Sequence, residues 1–346
     1  MKTRVYLAPY NDISLELSSD ISFKERYDLL GFIDKNKRGT AIVNRAASDF
    51  DFIFICSPNY FEEIYGEFLC QGVEKRKILF HIKKTMQIID SLEMVNFYNH
   101  NILDSYKKIK DLKDKHKNKR AFLIGNGPSL QINDLSSLKD EVTFAANKIY
   151  LAYEKTDWRP TYYLVEDDLV YKQNYKKIVQ IEDSIKLFPQ YALDWDKKIE
   201  KAIYFSMKYK PNDIDFPQFN PDPLLGIYWG STVIFSMIQW AIYIGIKEIY
   251  LIGVDFNFTE SEGYVINEHG RKDLICDGEI NHFHKDYRKI GEKWNLPNLE
   301  IQIKSFTKAK EYAQEHGIKI YNASRETKLN IFEKMPFDDV FKENDE

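Results

Sequence analysis

Short apolar runs, each closed by a polar or turn-forming segment, recur along the chain. Val5–Ala8, Leu29–Asp34, Asp51–Cys56 and Lys77–Phe80 have the β-branched and aromatic enrichment of buried strands, and Tyr60–Gln71 spaces its apolar residues for a helix. A second series starts at Ala121. Its pattern predicts strands over Ala121–Ile124, Val142–Ala145, Tyr162–Val165, Ala202–Phe205, Glu248–Ile252 and Lys319–Tyr321. Helices are predicted over Ser231–Ile244 and Thr307–His316, the second stopped by Gly317. Strands alternating with helices give parallel sheets, because parallel neighbours need a crossover. The predicted fold class is α/β, with two Rossmann-like parallel-sheet units: an N-terminal domain over 1–88, a helical linker over 89–118, a second domain over 119–341 and a tail over 342–346.

The two units differ at their first turn. Ala8-Pro9-Tyr10-Asn11 holds no glycine, so the backbone there cannot approach a pyrophosphate, although Asp34 stands where a dinucleotide fold puts its ribose-binding acid. The first unit therefore reads as a degenerate Rossmann-like domain with a structural or partner-binding role. In the second unit the strand Ala121–Ile124 runs into Gly125-Asn126-Gly127-Pro128-Ser129. A strand followed by a glycine turn brings bare backbone N–H groups to a phosphate. This turn has neither the third glycine of G-x-G-x-x-G nor the Lys-Ser/Thr of a P-loop, so a nucleotide binder outside those two classes is expected. A tight turn with no ligand is the alternative.

Composition narrows the function classes. A hydrophobic content of 44% with 15% aromatics excludes global disorder. With 49 basic and 53 acidic residues the net charge is −4, and no basic face of the size nucleic acid requires is visible. The lysine-rich run Lys107–Arg120 reads as a solvated helix face or linker rather than an anionic-surface contact. Cys56, Cys70 and Cys276 fit no metal spacing, and the first two are expected to be core thiols in a reducing compartment. No secretory h-region follows Met1, and the most apolar stretch, Val233–Ile246, is too short to span a bilayer and carries Gln239. A cytoplasmic location is expected, with the inner face of the membrane allowed.

Polar groups gather at the predicted strand ends of the second unit: Asn147, Glu166-Asp167-Asp168, Asp255 and Asn257. Gly230-Ser231-Thr232 opens the long apolar helix, where hydroxyls can cap the helix, meet an anion, or both. The three adjacent acids invite a Mg²⁺ reading, but hydrogen bonding to a substrate is preferred and no metal site is assigned. His282 and His284, in a polar loop, suit general base work, with surface histidines as the plain alternative and His269 as the nearest third histidine.

Four segments in order carry a family resemblance: Leu123–Leu130, Phe144–Tyr150, Gly230-Ser231-Thr232 with its helix running into Gly245–Phe256, and Ile318–Ser324. The array resembles the bacterial sialyltransferases of glycosyltransferase family 42 and the MptE-like family, which includes the motility accessory factors (Maf). The resemblance covers about 119–341. It implies a sialyltransferase-like domain, a GT-A variant, that moves a CMP-activated nonulosonic sugar (sialic, pseudaminic, legionaminic or Kdo-like) to a hydroxyl of a surface glycan or protein with inversion. Gly125, Asn126, Gly127 and Ser129 would then hold the phosphate and ribose, with Asn147, Ser231, Thr232 and Asp255 completing the nucleotide site. Tyr264 would steady the departing phosphate, and His282 or His284 would be the base, His282 being favoured. Asn257 stands where the sialyltransferases have a second tyrosine, and Asp167 and Asp168 are candidates for donor or acceptor contacts. No cofactor is required on this reading beyond the CMP-sugar substrate, with Mg²⁺ allowed. Expected partners are the nucleotide sugar and a glycan or protein acceptor, with no nucleic acid; a peripheral membrane contact and a homo-oligomer are both allowed. The alternatives are an ATP-dependent pyrophosphokinase of the 6-hydroxymethylpterin type, with Glu166, Asp167 and Asp168 on Mg²⁺, and a non-catalytic nucleotide-binding or assembly protein.

Overall fold

The computed structural model describes residues 2–34, 50–57, 61–82, 87–90, 105–190, 192, 199, 201–209, 215–266 and 272–342. His269, residues 91–104 of the expected linker and the tail beyond 342 lie outside them. The chain forms two compact units, Met1–Asp104 and Ser105–Glu346. No helix among the described residues is long and apolar enough to cross a membrane.

The first unit is built on β1 (Thr3–Ala8), β2 (Tyr27–Phe32), β3 (Phe52–Ile55), β4 (Ile78–Ile82) and β5 (Gln87–Asp90), in the order β2-β1-β3-β4-β5. The first four are parallel and β5 adds an antiparallel edge. Val5, Leu7, Phe54 and Cys56 form its core with Leu17 and Phe23 of the flanking helices. Cys70 is exposed instead of buried, because it ends the helix Phe61–Cys70 on its solvent side, while Cys276 of the second unit is buried.

The second unit holds an eight-stranded sheet, parallel throughout, in the order β10-β9-β8-β7-β6-β13-β17-β18. In chain order these are β6 (Arg120–Ile124), β7 (Val142–Ala146), β8 (Tyr162–Leu164), β9 (Ile185–Pro189), β10 (Ile203–Phe205), β13 (Glu248–Ile252), β17 (Lys319–Asn322) and β18 (Glu333–Lys334). Two short pieces, β11 (Met207–Lys208) and β12 (Ile227–Tyr228), pair with each other. A small antiparallel sheet of β14 (Tyr264–Ile266), β15 (Lys272–Ile275) and β16 (Lys293–Trp294) follows β13. Every residue of β7 and β8 is buried, as both-face coverage of a parallel sheet demands.

The apolar stretch that opens at Val233 is the central helix Val233–Tyr243, buried from Ile234 to Ala241 against β6 and the helix Leu299–Glu315. The amide it carries at Gln239 is tied at both ends. Gln239 accepts from the N–H groups of Asn220 and Tyr228 and donates to the carbonyls of Tyr228 and Phe235, which ties β12 to the helix. Ile109 and Leu112, within the segment expected as linker, belong to the core of this unit.

Candidate functional site

Helices that return the chain between parallel strands put all strand C-termini at one pole, and the strand order of the larger sheet reverses between β6 and β13. Open α/β sheets take ligands outside the carboxyl ends of such a reversal. The glycine loop leaves β6 there, and Gly253-Val254-Asp255 leaves β13 beside it. The turns are in contact: a Cβ at Gly125 would overlap the Gly253 carbonyl, and one at Gly127 would stand 2.5–2.7 Å from the Asp255 carboxylate atoms. Both positions need glycine for this approach.

Within the loop the N–H groups of Gly125, Gly127, Ser129 and Leu130 are engaged. Gly125 N–H donates to Ile252 O at 2.8 Å and Gly127 N–H to Gly253 O at 2.9 Å. Ser129 N–H donates to the Asp255 carboxylate at 2.7 Å, its hydroxyl donates to the same group, and Leu130 N–H bonds Gly127 O. The Asp255 carboxylate thus takes the Ser129 N–H and hydroxyl, two of the groups expected to meet a phosphate. Asp255 braces the loop, and burial, aided by the charge of Glu326 against the Ser129 bonds, raises its carboxyl above the ordinary range.

The loop offers acceptors instead. Asn126 Nδ2 donates to Ala146 O at 3.1 Å, which fixes the amide so that Oδ1 is the free end. Asn126 Oδ1 is buried and has no hydrogen-bond partner. The next residue after Ala146 is Asn147, held at φ +54° with its carbonyl accepting from the Tyr163 hydroxyl at 2.6 Å. Its Oδ1 is likewise buried and lacks a donor. Left-handed backbone at a non-glycine residue is costly and gathers at functional sites. A buried acceptor left unmet costs about 1–3 kcal/mol, so two at adjoining strand ends call for a ligand that donates hydrogen bonds.

His282 sits against the same loop. Phe283 N–H donates to Asn126 O at 2.9 Å, and Asn281 is latched to Thr259 through both ends of its amide. His282 Nδ1 lies 3.0 Å from Glu279 Oε1, which also accepts the Asn281 N–H, and its ring stacks on Tyr287 at 3.7 Å and 5°. Burial lowers the imidazole pKa to about 4 despite Glu279, with the charge of Arg288 also acting against protonation. A neutral imidazole bonded to a carboxylate through Nδ1 carries its proton there, which leaves Nε2 as the basic nitrogen. Burial alone would raise Glu279; the His282 bond, then the charges of His282 and Arg288, outweigh it and hold the carboxyl below its usual range. Arg288 lies 3.8 Å from Glu279 and 4.0 Å over the Trp294 ring. Behind the dyad, Tyr287 meets the Lys148 N–H and the Asn147 amide, and Lys148 pairs with Glu292.

Glu279, Tyr287 and Arg288 escape sequence reasoning. The only signal is a glutamate three residues before His282, and in a loop that spacing promises no contact.

The other expected residues divide. His284 Nδ1 accepts the Asp286 N–H at 3.2 Å, a local turn bond, whereas His282 is the histidine held by a carboxylate. Thr232 caps the helix Val233–Tyr243 through Ile234 N–H, and Ser231, at φ +60°, accepts the Asn298 N–H at 2.9 Å while Gln302 holds its carbonyl. Asp167 caps the helix Asp168–Val179, and Asp168 pairs with Lys172. Glu166 is buried beside the Ser236 hydroxyl, and burial pushes its pKa up to about 8. The three acids thus serve different elements, and among the described residues no group of three His, Cys, Asp or Glu is placed to hold a metal ion. Asn257 accepts from Lys328 Nζ at 2.8 Å. Tyr264 lies half-exposed on β14 with Lys272 Nζ 4.3 Å over its ring, joined to the small sheet and not to the glycine loop.

Among solved structures, the chain is similar to a Maf glycosyltransferase from Magnetospirillum magneticum AMB-1, at 14% identity and a TM-score of 0.42. The alignment covers 95% of this chain and 51% of that one, so the chain spans about half that protein's length. No curated protein matches. A family model described as 6-hydroxymethylpterin diphosphokinase MptE-like matches residues 96–261. The segment that holds the glycine loop, Asn147, Ser231, Thr232 and Asp255 thus matches the MptE-like family, as its motifs led us to expect, while His282 lies beyond the matched residues.

Proposed function

We propose that the second unit is an inverting glycosyltransferase that moves a CMP-activated nonulosonic sugar to a hydroxyl of a surface glycan or protein acceptor, with His282 as general base. The observation that carries this reading is the Phe283–Asn126 backbone bond, which seats the His282–Glu279 dyad on the loop that has unmet acceptors. Asn126 Oδ1 and Asn147 Oδ1 suit ribose hydroxyls or the cytosine amino group, both donors, and do not suit a phosphate. The phosphate goes instead to the N-terminal end of the helix Val233–Tyr243, where Ser231 and Thr232 stand and the helix dipole favours negative charge.

In the reaction the acceptor oxygen bonds the anomeric carbon as the bond from that carbon to the phosphate oxygen breaks, and CMP leaves with the electron pair. His282 Nε2 takes the acceptor proton, and Glu279 stabilises the imidazolium that forms. A pKa near 4 keeps the ring unprotonated and ready at neutral pH. CMP leaves with a single phosphate where a UDP sugar would release a diphosphate, so a divalent ion is less needed to offset the charge.

The family description favours a second reading, a diphosphokinase using ATP and Mg²⁺. It needs Glu166, Asp167 and Asp168 to converge, and these acids are committed to a buried site, a helix cap and a lysine pair. Thermal shift with CMP, CDP, UDP, ATP and ADP, each with and without Mg²⁺, separates the readings. CMP and CDP should raise Tm without metal. Stabilisation by ATP with Mg²⁺ alone would overturn the transferase, and silence towards every nucleotide would favour a binding or assembly protein.

A further inference from the structure

The pole of the larger sheet opposite the glycine loop carries its own concentration of charge. Lys119 precedes β6, Lys247 precedes β13 and Lys319 opens β17, three strands that are neighbours in that order. Glu248 is in register with both Arg120 and Lys319, so Lys319 stands one residue further along its strand than Lys119 and Lys247 along theirs, and the lysines form a staggered row across the strand starts. With roughly 5 Å between strands, the row spans about 10 Å. It lines an open cleft of about 460 Å³, closed at its sides by Asn118 and Gly317.

None of the three ammonium groups has an ion pair or side-chain hydrogen bond among the described residues. The other charges in the cleft are engaged: Arg120 pairs with Glu141 at 2.7 Å and donates to Val340 O, and Glu248 accepts from the Tyr250 hydroxyl. Three unpaired cations lining one concavity repel one another, and an anion between them relieves that repulsion.

The lysine-rich run adds to this pole as a fixed element. Asp114 N–H donates to Tyr243 O and His116 N–H to Ile244 O, which pins the run to the end of the central helix. The fit needs Gly245, at φ +95°, because a Cβ there would lie 3.0–3.1 Å from the backbone of Asp114 and Lys117. Lys115 and Lys117, on the pinned run, are both exposed. His116 registers the local field: burial first, then the charges of Lys115 and Lys119, lowers its basicity.

We propose that this cleft is a second anion site, separate from the nucleotide site, which takes a multiply charged phosphate group through Lys119, Lys247 and Lys319. Two sources share that chemistry, a soluble phosphate compound and the headgroups of an anionic bilayer. The test uses the full chain and its Lys119→Ala/Lys247→Ala/Lys319→Ala variant. Inorganic pyrophosphate is titrated by calorimetry at low salt, and flotation is run with phosphatidylcholine vesicles with and without phosphatidylglycerol.

Saturable binding is expected, weakening as salt is added and falling about tenfold or more in the triple variant. The CMP-induced thermal shift should not change. Pyrophosphate binding without flotation assigns the soluble source; flotation only with phosphatidylglycerol assigns the headgroup. Lys→Arg at all three positions should restore binding, and Lys247→Gln alone should weaken it about threefold, which covers a triple variant that folds poorly. The proposal falls if neither probe binds saturably, if the triple variant binds as well as the parent, or if CMP competes with pyrophosphate. None of these outcomes depends on whether the opposite pole transfers a sugar.

Discussion

Asn11 and Asn126 occupy corresponding places, each in the turn after the first strand of a parallel sheet and next to a reversal of strand order. In the first unit the amide is saturated. Asn11 Oδ1 accepts the Ser14 N–H as a helix cap, Nδ2 donates to Cys56 O beyond β3, and Asp34 holds the Tyr10 N–H. In the second unit only half of the amide is used, and its oxygen lies buried without a donor. The first turn thus stitches its own crevice shut, while the second keeps an acceptor in reserve. The presence of a crevice does not distinguish a site from a scaffold here; the unspent hydrogen-bonding capacity does.

The largest effect should come from the base. His282→Ala is expected to lower transfer by about 10²–10⁴-fold with CMP binding intact, whereas His284→Ala should cost far less. In the parent enzyme the acidic limb of kcat/KM should lie near pH 4, because protonation of His282 removes the base only there. A limb at the ordinary histidine pKa, or an active His282→Ala, removes the dyad from the mechanism.

Next comes Gly127→Ala, whose new methyl must displace the Asp255 carboxylate. CMP affinity should fall about tenfold or more, read by calorimetry on the folded variant. Asn147→Gly keeps the left-handed backbone and deletes the side-chain amide, both its unmet acceptor and its contact with Tyr287, so about fivefold weaker CMP binding is expected. The comparison breaks if that substitution leaves affinity unchanged. Asn11→Ala should leave CMP binding untouched and cost about 1 kcal/mol of stability through its lost cap, seen as a shift in the unfolding midpoint. A nucleotide effect from Asn11 would mean that the first turn is no mere stitch.

Much of this frame was legible in the chain. Ala121–Ile124 and Glu248–Ile252 are continuous apolar runs, and buried parallel strands leave that mark. β9 was missed because Ile185-Lys186-Leu187-Phe188-Pro189 is short and ends in proline, which reads as a breaker. The helix Leu299–Glu315 starts well before the predicted Thr307. Its start signal was present in Asn298, which caps it through Ile301 N–H, but Glu300 and Lys304 blurred the apolar period.

The glycine loop is legible, but its hydrogen bonding is not. Spacing shows where a backbone can come close, and it cannot show that Asp255, distant in the sequence, would take the Ser129 N–H and hydroxyl. The His282–Glu279 contact was illegible for a related reason, since loop geometry follows no period.

Glu166 has a consequence for how the second unit responds to alkali. Its carboxyl keeps a proton in the folded state up to about pH 8, while the unfolded chain releases that proton near the ordinary glutamate value of 4.5. The contribution of this group is therefore full at low pH and drains away as pH rises towards 8. His282 has the opposite sign: its folded value near 4 lies below the ordinary histidine value of 6.5, so its contribution fades as pH falls between them. Where the ranges overlap the two slopes oppose each other, and above pH 6.5 only the glutamate's remains. Glu166→Gln should flatten that alkaline decline in Tm, the smallest of the expected effects. A retained slope would shift the responsibility to another group. The buried acid is then a proton store, and neutral storage buffers near pH 6.5 should preserve the protein better than the mildly alkaline ones in routine use.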